Sequence, residues 1–488
     1  MPFAFDPSYT QLPDRLFRRV QPTPVPRPSL LALNGPLAHA LGLTVEELTS
    51  AEGLDILAGS RLPQGADPLA LAYAGHQFGH FVPQLGDGRA ILLGEVIGRD
   101  GLRRDVQWKG SGPTPFSRGG DGRAALGPVL REYVVSEAMA ALGVPTTRAL
   151  AAVQTGAPVY RDSVLPGAVL VRVAASHLRI GTFQYFAVRQ DHEFLSRLVD
   201  YALARHYPEA DLRDGRAVAL LEAVMDAQAR LVAHWLGLGF VHGVMNTDNM
   251  AISGETLDYG PCAFLDGFDP DRTFSSIDHG GRYAYANQSR MAQWNLARLA
   301  ETLVPLVDDD PTRAVALLTE RLDTFGQRFE VGYLTQFGRK LGLREARNGD
   351  LDLVQVLLGL MASSRADFTI SFRRLTDAAA TGDDQPFLDL FLDAAPMQAW
   401  IARWRQRLAE EADSPDAVAG SMRRANPAFI ARNHGIEGMI AAALQGDLQP
   451  MQRLGRVLAH PYDDQPDAAD LALPPDDNQW QYRTFCGT

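Results

Sequence analysis

Hydrophobic periodicity changes character once along this chain, near residue 190, and that change restricts the folds open to it. Before it, "RAILLGEVI" (89–97), "RRDVQWKG" (103–110), "TTRALAAVQ" (146–154) and "AVLVRVA" (168–174) read as strands. One helix is inserted among them. "GPVLREYVVSEAMAALG" (127–143) opens with Pro128 in its first turn and closes at Gly143. Leu130, Tyr133, Val134, Ala138, Ala141 and Leu142 give it an apolar stripe at helical spacing. Past 190, "HEFLSRLVDYALARHY" and "RAVALLEAVMDAQARLVAHWLGLG" begin a helical pattern that runs to about 460. Strands around one helix, then a helical half, predict an α+β chain of two lobes.

Four stretches follow from this reading. Residues 1–75, rich in Pro, Leu and Ala, form an N-terminal extension packed on the body. Residues 76–190 are the β-rich lobe, 191–340 the helical lobe, and 341–488 a C-terminal helical region and tail. The 488 residues are 46% apolar and 21% charged, an ordinary globular balance. The net charge of −12 argues against a general nucleic-acid binder. There is no apolar run of membrane-spanning length, and the N-terminus lacks the core of a signal peptide. With two cysteines, Cys262 and Cys486, the chain fits a reducing compartment. These features predict a cytoplasmic enzyme that binds neither nucleic acid nor membrane.

The chemistry concentrates inside the helical half, in the segment that follows "RAVALLEAVMDAQARLVAHWLGLG", "HGVMNTDNMAISGETLDYG" (242–260). His242 stands seven residues before Asn249, the spacing of the protein-kinase catalytic loop H-R-D-x-x-x-x-N, and "DYG" stands where kinases place D-F-G. Asn249 and Asp258 are hard oxygen ligands suited to Mg²⁺ held against phosphates. The position of the kinase base holds Val244, which cannot accept a proton. Asp248 is the only carboxylate inside the loop.

Upstream residues supply the rest of a phosphoryl-transfer site. Gly86 and Gly88 of "QLGDGRAILLGE" precede a strand, where bare backbone approaches an anion. Lys109 ends the next strand, and the inserted helix offers two acids to hold it, Glu132 and Glu137. At 100° per residue Glu137 falls near the apolar stripe and Glu132 nearly opposite; a helix clamped on two sides leaves both open. "GDGRA" recurs at 86–90 and 120–124, so Arg89, Asp121 and Gly122 sit on two loops that bracket Lys109. Arg172 and Arg179 add positive charge near a strand end. With these parts in order, the chain reads as a protein-kinase-like two-lobed fold.

Three long blocks make the pattern more specific. "QWKGSGPTPFSRGGDGRAALGPVLREYVVSEAMAALGVPTTRAL", "VHGVMNTDNMAISGETLDYGPCAFLD" and "NPAFIARNHGIEGMIAAALQGD" with "HPYDDQP" resemble, in that order, the selenoprotein O (SelO, YdiU-type) family. The resemblance runs from about residue 70 to the terminal "TFCGT". It implies a protein-kinase-like fold that works as a protein adenylyltransferase. The nucleotide sits reversed, so AMP from ATP, or UMP from UTP, passes to Ser, Thr or Tyr hydroxyls of proteins with Mg²⁺ or Mn²⁺.

The resemblance also assigns residues. Gly86, Gly88, Arg89, Lys109, Asp121, Gly122, Arg172 and Arg179 match nucleotide-binding positions, and Asp248 the proton acceptor. Asn249 and Asp258 match the metal ligands, Asp258 also touching nucleotide. For the ion pair with Lys109 it selects Glu132, with Glu137 as the rival. Many relatives carry selenocysteine in the tail, where this chain has Cys486. A reversible Cys262–Cys486 disulfide tying the tail over the site is one expectation; a buried small Cys and a free tail thiol is the other. Intact mass under oxidising and reducing conditions separates them. Two further functions compete with protein adenylylation: a small-molecule kinase of the aminoglycoside-phosphotransferase type, and an inactive nucleotide-binding pseudokinase.

Overall fold

The computed structural model describes residues 3–411 and 413–476. Its organising element is an eight-stranded sheet in which all pairings are antiparallel. Seven of its strands are β1 (Phe17–Arg19), β2 (Ser29–Leu33), β3 (Leu69–Leu71), β4 (Ala90–Ile97), β5 (Arg103–Lys109), β6 (Arg148–Tyr160) and β7 (Val164–Ala174). They run in the order β1-β3-β4-β5-β7-β6-β2, and a two-residue strand, Ala124–Ala125, pairs with β7.

Strand alternation gives the sheet two faces of different chemistry. Val106 and Trp108 of β5 point to the back, into a core with Ile91, Leu150, Val153, Val169 and Val171. Leu37, Leu48, Ile56 and Leu57 from the first 75 residues cover that core, and the Trp108 indole N–H donates to the Ile56 carbonyl at 3.0 Å. The N-terminal stretch therefore covers the back of the sheet and also supplies β1, β2 and β3.

The front face carries the polar residues. Lys109 stands opposite Ala90 on β4 and Leu170 on β7, and Gln107 stands opposite Arg172. The inserted helix, Leu126–Ala141, packs on this face through Leu126, Val129, Leu130 and Val134. It ends as its sequence requires. Gly143 takes φ +80°, and the Val144 N–H reaches back to the Met139 carbonyl at 3.0 Å.

Below the sheet, from residue 192 onward, the chain is mainly helical. A long helix, Arg216–Gly237, packs against Gln288–Val307 and Phe325–Lys340. It delivers the chain through Gly239, at φ +70°, into the loop at 242–249. Phe240–Val241 pairs with Ala263–Phe264, so the two ends of that loop region are tied together. The stretch 250–258 makes isolated bridges, Met250 to Thr256 and Arg179 to Ala251, rather than a strand. Among the described residues no helix is long and apolar enough to cross a membrane.

Candidate active site

A cleft of about 460 Å³ opens between the front of the sheet and the 242–258 segment. Gly86, Gly88, Arg89, Lys109, Asp121, Gly122, Arg172, Arg179, Val244, Asp248, Asn249 and Asp258 all line it. Residues from Gly86 to Asp258 thus meet in one space, and both "GDGRA" loops reach it.

On the sheet side, Lys109 is held between two carboxylates. Its ammonium donates to Glu132 at 2.5 Å and also to Asp258. Glu132 is buried and takes a second bond from Arg172 at 3.1 Å. Arg172 in turn donates to Gln107 Oε1 at 2.6 Å, and Gln107 donates to Asp87 at 3.3 Å. The helix pairs Lys109 with Glu132 and not Glu137. Glu137 instead binds Arg148 at 2.6 Å, the Asn34 side chain at 2.6 Å and the Ala149 N–H at 2.8 Å, fixing the helix to β6 and to the N-terminal segment.

Arg179 lies deeper. Its guanidinium stacks 4.2 Å from the Tyr73 ring centre and donates to the carbonyls of His177 at 3.2 Å and Asp248 at 3.1 Å. Its Nη2 is buried, has no hydrogen bond among the described residues and stays 3.8 Å from Asp87, so a buried cation retains donor capacity beside the cleft. Gly86 makes room at the rim. At φ +79° it passes so close to Phe116 that a Cβ there would lie 2.3 Å from the ring. Asp121 plays a more outward part than its neighbours: it binds Arg161 at 2.9 Å and caps the Arg123 N–H at 2.9 Å. That contact with Arg161 holds its carboxyl below the usual range.

The loop side is organised by His242. Its Nδ1 accepts from the Val244 N–H at 3.3 Å, and its Nε2 faces the Leu257 carbonyl at 3.0 Å. Burial lowers its pKa, so a neutral ring spans the loop and the residue before Asp258. Asn246 accepts from the Phe78 N–H at 3.0 Å and from the Tyr283 hydroxyl at 2.7 Å. The Asn249 amide nitrogen donates to the Val244 carbonyl at 3.0 Å, which fixes which end of the amide is oxygen.

Two aspartates then face the same space in opposite electrostatic states. Burial pushes the Asp248 carboxyl up to about 6, with Arg179 pulling the other way. Its Oδ1 is buried without a partner among the described residues, and Gln77 reaches Oδ2 only at 3.4 Å. Gly75 passes close enough that a Cβ there would stand 2.9 Å from that Oδ1. Burial also disfavours charge on Asp258, but Lys109, Arg172 and Arg89 outweigh it and hold this carboxyl well below the usual range. Asp258 takes a positive φ of 71°, a strained conformation for a residue with a side chain.

Sequence reasoning did not find Tyr73, Gln77, Asp87, Gln107 or Asn246. Asp87 and Asn246 lay inside motifs already singled out, and alternation along β5 places Gln107 on the same face as Lys109. Tyr73 and Gln77 belong to no local pattern. Cys262 is buried, which pushes its thiol up to about 12. Cys486 lies outside the described residues, and the expected disulfide with it.

Comparison with known proteins adds a family to this geometry. The profile described as "Protein adenylyltransferase SelO" matches residues 1–459. A protein of Bradyrhizobium sp. (strain ORS 278) named "Protein nucleotidyltransferase YdiU" is 59% identical over 487 residues, covering 100% of this chain and 99% of the relative. Proteins of the same name from Methylorubrum populi and Rhizobium etli are 59% and 56% identical, each over 100% of this chain and over 99% and 97% of their own length.

Proposed function

Because this chain belongs to the protein adenylyltransferase SelO family, we propose that the cleft between Lys109 and Asp248 is where it transfers a nucleotide to protein. The chain is a protein nucleotidyltransferase. In our reading it is kinase-like in architecture: a sheet lobe over 76–190 that carries the inserted helix and is completed by β1, β2 and β3 from the first 75 residues, a helical lobe over 191–340, and a C-terminal helical region beyond it. It passes AMP from ATP, or UMP from UTP, to Ser, Thr or Tyr hydroxyls.

The observation that carries this reading is the opposed state of the two aspartates. A group poised near neutrality beside one kept ionised is the arrangement that separates proton transfer from charge stabilisation. Asp248, at about 6 and with an unused buried oxygen, suits the acceptor side. It takes the proton of the hydroxyl as the oxygen bonds to the α-phosphorus and the bond to pyrophosphate breaks. Lys109 and Arg172 line the other side, Arg179 adjoins Asp248, and these cations receive the charge that develops on the leaving pyrophosphate. Val244, an alkyl side chain in the position of the kinase base, has no part in this geometry, which disfavours γ-phosphoryl transfer.

The donor set also suits a divalent cation. Asn249 presents an oriented amide, Asp258 an ionised carboxylate, and both are hard oxygen donors. Among the described residues no cluster of three or more His, Cys, Asp or Glu forms an all-protein cage. Two protein ligands completed by phosphate oxygens and water match the habit of Mg²⁺ or Mn²⁺ in such sites. When bound, the ion neutralises phosphate charge. The deciding experiment supplies ATP labelled at the α- or the γ-phosphate. The α-label is expected on protein with release of pyrophosphate; γ-label on any acceptor overturns the reading.

A further inference from the structure

Of the 46 lysines and arginines in the sequence, only Lys109 and Lys340 are lysine. A chain that uses arginine almost everywhere for positive charge keeps two amines, and the first lies in the nucleotide cleft. An arginine stays charged, whereas a lysine loses its proton readily when buried, so the two are not interchangeable.

Lys340 ends the helix Phe325–Lys340 and is 3% exposed. Its ammonium lies 4.1 Å from the Phe372 ring centre and 5.5 Å from that of Phe368. No carboxylate pairs with it among the described residues. It lines a cavity of about 500 Å³ together with Arg339, Arg424, His234, Ser421 and Tyr462. Among the described residues that lining contains no aspartate or glutamate and shares none with the nucleotide cleft. In a protein of net charge −12, a recess with two arginines, a lysine and no acid among the described residues suits an anion.

Basic groups in last helical turns also complement helix ends. Arg339, Arg424 and His234 occupy such turns already, and an arginine at 340 would serve that purpose equally. What the lysine adds is a nucleophile. Burial without a counter-charge brings its amine down to about 7, so much of it is neutral near neutral pH. His234, lowered to about 4 by burial and by the charges of Lys340 and Arg339, is neutral there too.

We propose that this cavity is a covalent modification site, in which a small acyl phosphate docks its phosphate on Arg339 and Arg424 and the Lys340 amine takes the acyl group. The amine lone pair forms a nitrogen–carbon bond to the carbonyl carbon, and the carbon–oxygen bond to phosphate breaks. Phosphate leaves with that electron pair and receives the proton shed by nitrogen. Nothing is oxidised or reduced. The product replaces an amine that titrates near neutrality with an amide that is neutral at every pH, at the point where the inserted helix and the long helix both end.

The test treats the full chain with acetyl phosphate at pH 7.5 and maps acetylation by mass spectrometry, with only two lysine peptides to follow. Lys340 is expected to react at least about tenfold faster than Lys109, whose amine is held by two carboxylates. Excess inorganic phosphate slows the reaction at Lys340. Arg424→Gln slows it about tenfold with acetyl phosphate but leaves the rate with the uncharged donor N-acetylimidazole within about twofold. Acetylation at Lys109 with Lys340 untouched overturns the proposal. So does a Lys340 rate indifferent to phosphate, a measurement that needs no variant to fold.

Discussion

On one wall of the cleft Asp258 stands among Lys109, Arg172 and Arg89; on the other Asp248 has, among the described residues, one weak partner, Gln77, and an oxygen that meets no donor. Both carboxylates face the same space, and both carry the same kind of desolvation penalty. What separates them is supporting charge. The sheet brings lysine and arginine to Asp258 through β5 and β7, whereas the nearest cation to Asp248, Arg179, spends its bond there on the backbone carbonyl. The fold thereby produces one carboxylate that stays ionised and one that titrates near neutrality, from the same amino acid.

The comparison can be broken first at its charged wall. Asp258→Ala removes a partner of Lys109 and the anionic donor of the proposed cation site. Transfer of α-label to protein is expected to fall by about 10³-fold or more. Activity within tenfold of the parent would separate Asp258 from the chemistry. Chelation with EDTA should stop transfer in the parent while leaving the melting temperature little changed, since the described residues form no all-protein cage.

The titrating wall comes next. Asp248→Asn keeps shape and removes the proton acceptor, so kcat should drop by about 10²- to 10⁴-fold. In the parent, kcat/KM should rise with pH through about 6 and level off above, because the base acts only when deprotonated. Asp258 remains ionised across that range and adds no limb of its own. The same rising limb in the residual activity of Asp248→Asn would assign it to another group.

Much of this site is legible in the amino-acid sequence. Strand ends, the inserted helix and the 242–260 loop follow from local periodicity and spacing, and local rules place Lys109, Asn249 and Asp258 along the chain. Pairing between distant segments is not legible. That β1, β2 and β3 from the first 75 residues join the sheet depends on contacts with residues 69–154, which no window reveals. Helix amphipathicity is a poor guide for the same reason. Leu126–Ala141 is buried on nearly every side, so its apolar stripe does not mark the face that meets the active site. Glu132 faces the sheet's polar front, and Glu137 faces Asn34 and Arg148.

Those two glutamates, a little over one turn apart, sharpen the contrast between a group that serves the cleft and one that serves the fold. Glu132→Gln leaves Arg172 a neutral acceptor but weakens the hold on Lys109, which then rests on Asp258 alone. Transfer is expected to fall by about 10²-fold with modest loss of stability. Glu137→Gln should leave transfer within about threefold and cost about 1–2 kcal/mol of folding free energy, through the weakened bonds to Arg148 and the Ala149 N–H. Chemical denaturation and labelled transfer on both variants decide the matter. Equal loss of activity in the two would erase the distinction.

The smallest effect concerns stability and follows from the sign of the Asp248 shift. Its carboxyl rises from 3.8 in the unfolded chain to about 6 in the fold, so between those values the folded state binds more protons. Stability arising from this group therefore declines as pH climbs from about 4 to about 6 and stays reduced above. Asp248→Asn carries no such penalty. At pH 4 the variant and parent should differ little; at pH 7.5 the variant should be more stable, by about 1–3 kcal/mol. Asp258 pulls in the opposite sense, since its depressed carboxyl favours the fold at all pH values above the unfolded range, and it is present in both proteins. Urea midpoints for both proteins at the two pH values isolate the difference. A gap that fails to widen from pH 4 to pH 7.5 would mean that Asp248 ionises in the fold without cost, and with that the asymmetry between the two walls would lose its physical basis.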